Sequence, residues 1–593
     1  MHQPTRLFDV IQHQLANYSK QDMLAAKEQG TWKTYSTEDV AGIVQRFSSG
    51  LLQLGIGGTG LQPETQDKIA IISHNRPEWI FTDLACQQVG AVLVPIYPTI
   101  SETELVYVLN DAEAHILFVD DIHLYEKVLA NRGKLSTVKE IYSFERIAGV
   151  KHWMDILAAA STTDVARIEG IKKNITPDTL VTIIYTSGTT GIPKGVMLSH
   201  GNIMSNVTAC IPILPVNEQA RALSFLPLNH IFERMVTYVY FTAGVSVYYA
   251  ESMEAISDNL KEVKPSIFTT VPRLLEKVYE KIMARGNTLT GIQRTMFFWA
   301  LDLGNRYELN KQQGPLYNLQ LAIARRLVFS KWKEAMGGQL ECIVTGAAAA
   351  QVRLLRIFTA AGFSILEGYG LTETSPVIAV NGKDPKDRMF GTVGPPIDNV
   401  QVKIAGDGEI LVKGPNITMG YYKNPGLTAE SIREGWFHTG DVGMLVKDKF
   451  LKITDRKKEL FKTSGGKFVA PQPIENKFKE SPYIEQIMVV GADRKFAGAL
   501  IVPNFANLQD WARTNNVAFP SREQGLKDPK VRALYKQAVD KYNQYFNHIE
   551  QVKKFELMPG EWTVDGGELT PTLKLKRKVI ENKYQAAIAH IYA

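Results

Sequence analysis

The sequence predicts an α/β fold: a large N-terminal domain of mostly parallel sheets covered by helices, and a smaller C-terminal domain of strands and helices. Three observations predict it. Short apolar runs alternate with helical spacing, the pattern turns to hairpins near residue 400, and a charged stretch at 455–459 precedes a new set of strands and helices.

Residues 68–73 (KIAIIS) form an apolar run of strand length. Pro77 suits a first helical turn, and residues 78–89 carry helical spacing. Residues 91–95 (AVLVP) and 115–119 (HILFV) read as further strands. Strand–helix–strand alternation of this kind builds parallel sheets that helices cover. It resumes at 180–185, 222–226, 245–249, 266–271 and 341–345, and residues 273–336 are largely helical. From about residue 400, strand-like segments at 400–404 and 409–412 flank a Gly-Asp-Gly turn, a hairpin signature. Residues 450–454 read as a strand, and the charged run Asp455-Arg-Lys-Lys-Glu459 follows. Beyond it come a Gly-Gly turn, strands at 486–491 and 499–503, and helices. A domain boundary is expected near Asp455, and no internal repeat is visible.

The 593 residues fit several structural units. Hydrophobic residues make up 45% and charged residues 22%, an ordinary balance with ample material for a core. A net charge of +6 is small for this length. It gives no case for nucleic acid and suits anionic ligands or an acidic membrane surface. Cys86, Cys210 and Cys342 are far apart and show no CxxC spacing, which argues against a disulfide framework or a zinc site. No apolar run reaches the roughly 18 residues needed to span a bilayer. The first residues lack a signal-peptide core, and the terminal HIYA is not a peroxisomal address. The expected location is the cytoplasm, with room for peripheral contact at the inner face of the membrane.

The most informative segment is Tyr185-Thr-Ser-Gly-Thr-Thr-Gly-Ile-Pro-Lys-Gly195. An apolar strand feeds into it, its glycines free the backbone to curl, and such a loop aims several N–H groups at one phosphate. Thr186, Ser187, Thr189 and Thr190 add hydroxyl donors, Gly188 and Gly191 add bare backbone, and Lys194 adds a positive charge. A triphosphate tail fits this chemistry. It is not a GxxxxGK[ST] loop, because Lys194 follows a proline and precedes Gly195. For glycine and threonine alone a surface loop is the better reading; the length of the string favours phosphate.

The string resembles the phosphate-binding loop of the adenylate-forming enzymes: acyl-CoA synthetases, luciferases and peptide-synthetase adenylation domains. Further landmarks match in order. Glu367-Gly-Tyr-Gly-Leu-Thr-Glu373 resembles the adenine and magnesium motif, and His438-Thr-Gly-Asp441 the ribose motif. Asp455-Arg-Lys-Lys-Glu459 resembles the interdomain hinge, and Thr570-Pro-Thr-Leu-Lys-Leu-Lys-Arg577 the C-terminal catalytic lysine motif. The likeness runs from about Tyr35 to Ile580 and is greatest to long-chain fatty acid–CoA ligases, through residues 225–234, 345–348 and 555–577. Where many members have Ser-Gly-Lys, Leu573 precedes Lys574 here, as in the long-chain branch.

This resemblance implies an N-terminal adenylation domain over 1–454 with a small β-barrel-like subdomain, a hinge at 455–459, and a mobile α+β C-terminal domain over 460–593. It implies activation of a long-chain fatty acid by ATP to an acyl-adenylate, then transfer to coenzyme A, with Mg²⁺ as cofactor. The rival fates are delivery of the acyl group to a carrier protein, or an inactive lipid-binding protein. Lys574 would bridge the fatty carboxylate and the α-phosphate, although charge alone would make it a solvated lysine in a basic run. Glu373 and Thr186 would hold magnesium as a carboxylate and a hydroxyl, and Lys194 would complete the catalytic set. Gly346, Ala347 and Gly368 would let the nucleotide approach the backbone, Tyr369 would stack on adenine, and Thr372 would lie beside them. Asp441 would accept from both ribose hydroxyls, with Arg456 near the same ribose. Lys458 falls at the hinge and Lys462 approaches the nucleotide. His230 would lie at the acyl pocket, and Ser464, Gly465 and Gly466 beside the channel for coenzyme A.

Overall fold

The computed structural model describes residues 3–58, 60–186, 192–311, 313–564, 566–570 and 574–593. Two eight-stranded sheets form the N-terminal body. In the first, parallel strands run in the order Leu180–Thr186, Val92–Ile96, Lys68–Ile72, Ala114–Val119, Glu140–Ser143 and Lys151–His152. Lys194–Ser199 and Gly420–Tyr421 extend its other edge antiparallel. The runs KIAII and VLVPI are buried at every position, as strands covered on both faces must be.

The second sheet runs Ser364–Gly370, Cys342–Thr345, Ile267–Thr270, Arg221–Ser224, Ser246–Tyr249 and Leu24–Glu28 in parallel, with antiparallel strands Val377–Val380 and Thr31–Tyr35 at its edges. The largest apolar cluster joins residues of both sheets and the helices Thr37–Gln53, Pro77–Gln88 and Ile231–Thr242. Pro77–Gln88 is buried almost all round, which explains why its apolar and polar residues do not segregate into two faces. Arg234 within Ile231–Thr242 is fully buried, and its guanidinium is matched by the equally buried Asp83, with Tyr238 donating to the same carboxylate at 2.7 Å.

Helices from Pro272 to Ala335 cover the outer face of the second sheet and make a separate core with it. Five strands between residues 401 and 456, Gly420–Tyr421 not among them, form an antiparallel sheet, the small half-barrel subdomain. The strand expected over 450–454 runs on to Arg456, because its last residues still pair with Asp441 and Val442; the charged run therefore begins inside a strand. The C-terminal residues have their own core, from Val469 to Ile591, around strands Ile484–Val490, Gly498–Pro503 and Lys554–Leu557. An independent core makes this segment a domain in its own right.

Candidate active site

A cavity of about 3170 Å³ lies between the N-terminal body, the half-barrel and the C-terminal domain. Thr186, Lys194, His230, Gly346, Ala347, Gly368, Tyr369, Thr372, Glu373, Asp441, Arg456, Lys458, Lys462 and Lys574 all line it. These residues come from segments up to several hundred positions apart, and the sheet ends bring them together. Ser187, Gly188, Thr189, Thr190 and Gly191 of the expected phosphate loop lie outside the described residues, as does Leu573.

The loop's two flanks are described. Thr186 ends its strand opposite Lys194. The Lys194 ammonium sits 5.1 Å above the Tyr421 ring, and the Tyr421 hydroxyl donates to Glu373 Oε1 at 2.9 Å. The Glu373 carbonyl accepts from the Thr418 N–H at 2.8 Å, which fixes the short turn Thr372–Thr374 against the first sheet. Thr186, Lys194 and Glu373 thus share one corner, with Tyr421 as the unforeseen member. Among the described residues no group of three or more His, Cys, Asp or Glu could hold a metal by itself. One carboxylate and one hydroxyl fit magnesium that arrives with a triphosphate, since that ion keeps most of its shell as phosphate and water.

The ribose and adenine candidates meet in a second corner. The Tyr369 hydroxyl donates to Asp441 Oδ2 at 2.6 Å, and Arg456 Nε stands 3.4 Å from Asp441 Oδ1. Burial raises the Asp441 carboxyl, against the pull of Arg456, the Tyr369 hydrogen bond and Lys574. Burial and the neighbouring carboxylate keep the Tyr369 phenol protonated, so it can only donate to Asp441. Glu409, which the sequence did not single out, holds the strand Trp436–Val446 beside Asp441: it accepts from the Gly440 N–H at 3.0 Å and from Lys457 at 2.9 Å.

Bare backbone lines the wall between the corners. A Cβ on Gly346 or Gly368 would meet only ordinary contacts, at 3.4 Å or beyond, so the protein's own packing does not require glycine there. Ala347 adopts φ +67°, a left-handed conformation uncommon for a residue with a side chain. Behind this loop the Glu367 carboxylate accepts from the Ala350 N–H at 2.8 Å; burial pushes its carboxyl up to about 7 despite that bond.

Lys574 enters from the C-terminal domain. Its N–H donates to Thr570 Oγ1 at 3.0 Å, and its carbonyl accepts from the Thr570 N–H at 2.8 Å, which ties its backbone to Thr570. Burial, then the charge of Arg456, lowers its ammonium to about 8, against the pull of Asp441 and Glu459. His230 caps the helix Ile231–Thr242, with Nδ1 accepting from the Phe232 N–H at 3.1 Å, which places its proton on Nε2. Burial and then Lys574 lower His230 to about 4, so the ring is neutral at ordinary pH. Beyond it the cavity wall is apolar, with Ile213, Leu214, Met235, Val236 and Val239. Ser464, Gly465 and Gly466 form an exposed turn between Phe461–Lys462 and Phe468–Val469 and are not part of the cavity lining in this arrangement. Lys462 lies at the lining, its ammonium 4.7 Å from the Phe468 ring.

Residues 11–422 match the family described as AMP-binding enzyme, and residues 459–593 match the AMP-binding enzyme C-terminal domain. Long-chain-fatty-acid–CoA ligase FadD15 of Mycobacterium tuberculosis is 34% identical over 576 residues, spanning 95% of this chain and 93% of that one. Human long-chain-fatty-acid–CoA ligase 1 is 32% identical over 593 residues, spanning 95% and 82%. Among solved structures, the anthranilate CoA ligase AuaEII in complex with anthranoyl-AMP superposes with a TM-score of 0.72 at 17% identity, covering 98% of each chain, a likeness of fold.

Proposed function

Because the chain belongs to the AMP-binding family of adenylate-forming enzymes, we propose that it activates long-chain fatty acids with ATP and transfers them to coenzyme A. The observation that carries this reading is the cavity itself. One end gathers Lys194, Glu373, Tyr369, Asp441 and Lys574, and the wall beyond His230 is formed by Ile213, Leu214, Met235, Val236 and Val239. Polar groups for a nucleotide and an apolar wall for an acyl chain meet where a carboxylate would react.

The reaction needs a carboxylate oxygen to attack the α-phosphorus, with pyrophosphate leaving. Charge builds on oxygens rather than on a protein nucleophile, so positioning and cationic stabilisation do most of the work. Asp441 accepts from the ribose hydroxyls once Tyr369 or solvent yields the position, and Arg456 stays beside it. Lys574 brings its positive charge to the carboxylate and α-phosphate. Thr186 and Glu373 would hold magnesium, which neutralises charge on the triphosphate when bound. His230 is neutral and can donate from Nε2 to the acyl carboxylate or its carbonyl. The second half-reaction exchanges the adenylate for a thioester and releases AMP.

Long-chain specificity is supported by the apolar wall and by the similarity to the two ligases above. Each buried CH₂ contributes about 0.8 kcal/mol, so saturated acids of roughly 12–18 carbons should outperform acetate and coumarate. The test is AMP release from ATP with a series of acids, with and without coenzyme A. CoA-dependent release that is greatest with a long chain is expected. Faster turnover of acetate or coumarate overturns the chain-length reading, and adenylate formation without transfer to coenzyme A points to a carrier protein as acceptor.

A further inference from the structure

The helices that cover the second sheet are apolar on two sides. Their inner side buries Phe297, Leu301, Leu321, Phe329 and Trp332 in the core. A surface helix satisfied by that core should present polar residues outward. Instead the continuous helical stretch from Pro315 to Ala335, with a π turn at Arg325–Phe329, exposes Leu316, Leu319, Ile323 and Leu327 at 69%, 61%, 42% and 50%. Their spacing of three, four and four residues sets them along one ridge. Ile292 at the start of the neighbouring helix Gly291–Asn305 is 79% exposed, and that helix packs against this one. No other helix among the described residues exposes more than two large apolar side chains.

Charge concentrates in the same stretch of the chain. Residues 281–333 hold nine Lys and Arg against two Asp and Glu, more than the whole chain's net charge of +6. Lys281, Arg285, Arg294, Arg306, Lys311, Arg325, Arg326 and Lys331 are exposed, and among the described residues only Arg306 and Lys331 of these form ion pairs. Neither folding nor the reaction explains an apolar ridge in a stretch whose basic residues mostly form no ion pair.

We propose that this ridge docks the enzyme on the surface of an anionic phospholipid bilayer. An in-plane helix with apolar residues on one side and Lys and Arg beside them sinks into the headgroup boundary and is drawn there by acidic lipid. Among the described residues no helix is long and apolar enough to cross a membrane, so the contact is peripheral. Charge selects the bilayer over a second copy of the chain, because self-association would press two strongly basic patches together. The helix Pro272–Thr288 links the two regions: its first residues, Pro272, Arg273, Glu276 and Lys277, line the active-site cavity, and its end leads into the basic segment.

The test is flotation of the full-length protein with phosphatidylcholine vesicles, with and without phosphatidylglycerol. Binding needs no turnover, so its outcome is independent of the proposed substrate. The protein should float with the acidic vesicles at low salt and be released at about 1 M salt, where the Debye length falls to about 3 Å. A Leu316→Ser, Leu319→Ser, Ile323→Ser variant should need about tenfold more lipid for half-binding. An Arg285→Glu, Arg326→Glu variant, which leaves the apolar ridge untouched, should lose the preference for acidic lipid. Unchanged circular dichroism and melting temperature certify both folds. Wild-type protein that ignores phosphatidylglycerol, or variants that bind as wild type does, overturns the proposal. So does a wild-type dimer in the ultracentrifuge that the Ser variant converts to monomer.

Discussion

The segment around Lys574 and the turn at 464–466 belong to the same small domain, yet they face opposite environments. Leu569, just before the lysine, and Val469, just after the turn, are both buried in the C-terminal core. Lys574 lines the interdomain cavity, close enough to Asp441, Arg456 and His230 for their charges to matter. Ser464, Gly465 and Gly466 are exposed. A rigid domain cannot present both segments to one acyl carbon in a single pose. The arrangement seen here suits adenylation, and we infer that the domain swings about Lys458 to bring the glycine turn up for transfer.

Removing the lysine should separate the two half-reactions most sharply. Lys574→Ala should slow pyrophosphate release by about a hundred- to a thousandfold, the usual loss for one charge-stabilising donor. Thioester formation from supplied acyl-adenylate should change little, because that step does not expel pyrophosphate. Single-turnover assays of each half measure this directly. Equal losses in both would mean that Lys574 serves the fold or both poses.

Asp441 lies on the fixed side of the comparison, so its loss should not discriminate between poses. Asp441→Ala removes a carboxylate placed for two ribose hydroxyls, each charged hydrogen bond contributing about 1.5–3 kcal/mol. ATP binding by calorimetry should weaken by about tenfold or more. Unchanged affinity would remove Asp441 from the nucleotide site.

Proton chemistry gives a finer test. The folded free enzyme lowers Lys574 to about 8, so the charged form needed for adenylation is lost as pH rises through that value. The kcat/KM for pyrophosphate release, which reports the free enzyme, should fall above about pH 8. Lys574→Arg should move that alkaline limb upward, since guanidinium keeps its proton there. A limb that stays put in the Arg variant belongs to another group. His230, lowered to about 4, should contribute no limb between neutral and alkaline pH.

Most residues at the two corners of the site were legible because each belongs to a contiguous string with its own chemistry. Glu373 sits in a short turn, Arg456 at a strand end, Asp441 within the strand Trp436–Val446 and Lys574 in irregular chain, each inside a short string of its own. The contacts that unite them were not legible. Tyr421 reaches Glu373, and Tyr369 reaches Asp441, across 48 and 72 positions, and no local pattern encodes such pairings. The acyl wall was hidden for another reason: Met235, Val236 and Val239 are the same residue types that fill the core beside them. The parallel strands were readable as apolar runs. The early hairpin Leu24–Glu28 and Thr31–Tyr35 was missed, because only its first strand is deeply buried and its second has no alternation. The helix Thr37–Gln53 did carry a signal, the Ser36–Asp39 capping box that the structure forms.

The smallest expected effect concerns what holds the pose. Arg273 at the start of the helix Pro272–Thr288 forms an ion pair with Glu485, on the C-terminal strand Ile484–Val490, and so ties the two domains together. Both side chains are about a quarter exposed, at 26% and 27%, so solvent screens the pair and it should contribute no more than about 1 kcal/mol. Glu485→Gln would remove the tie without stranding a charge. Arg273 keeps Glu276 at 3.0 Å, and the amide can retain the contact with Asn504 that Glu485 makes at 2.9 Å. If the pair stabilises the adenylation pose, the variant should form thioester from supplied acyl-adenylate up to about fivefold faster, while adenylation stays level or slows. Glu280→Gln provides the control, because Glu280 stands 3.6 Å from the same arginine but belongs to the N-terminal body. Rapid-quench measurement of both half-reactions in both variants decides the matter. Parallel changes in the two halves, or the same response from Glu280→Gln, would show that Arg273 and Glu485 do not bias the domain, and the latch would have to be sought elsewhere on the interface.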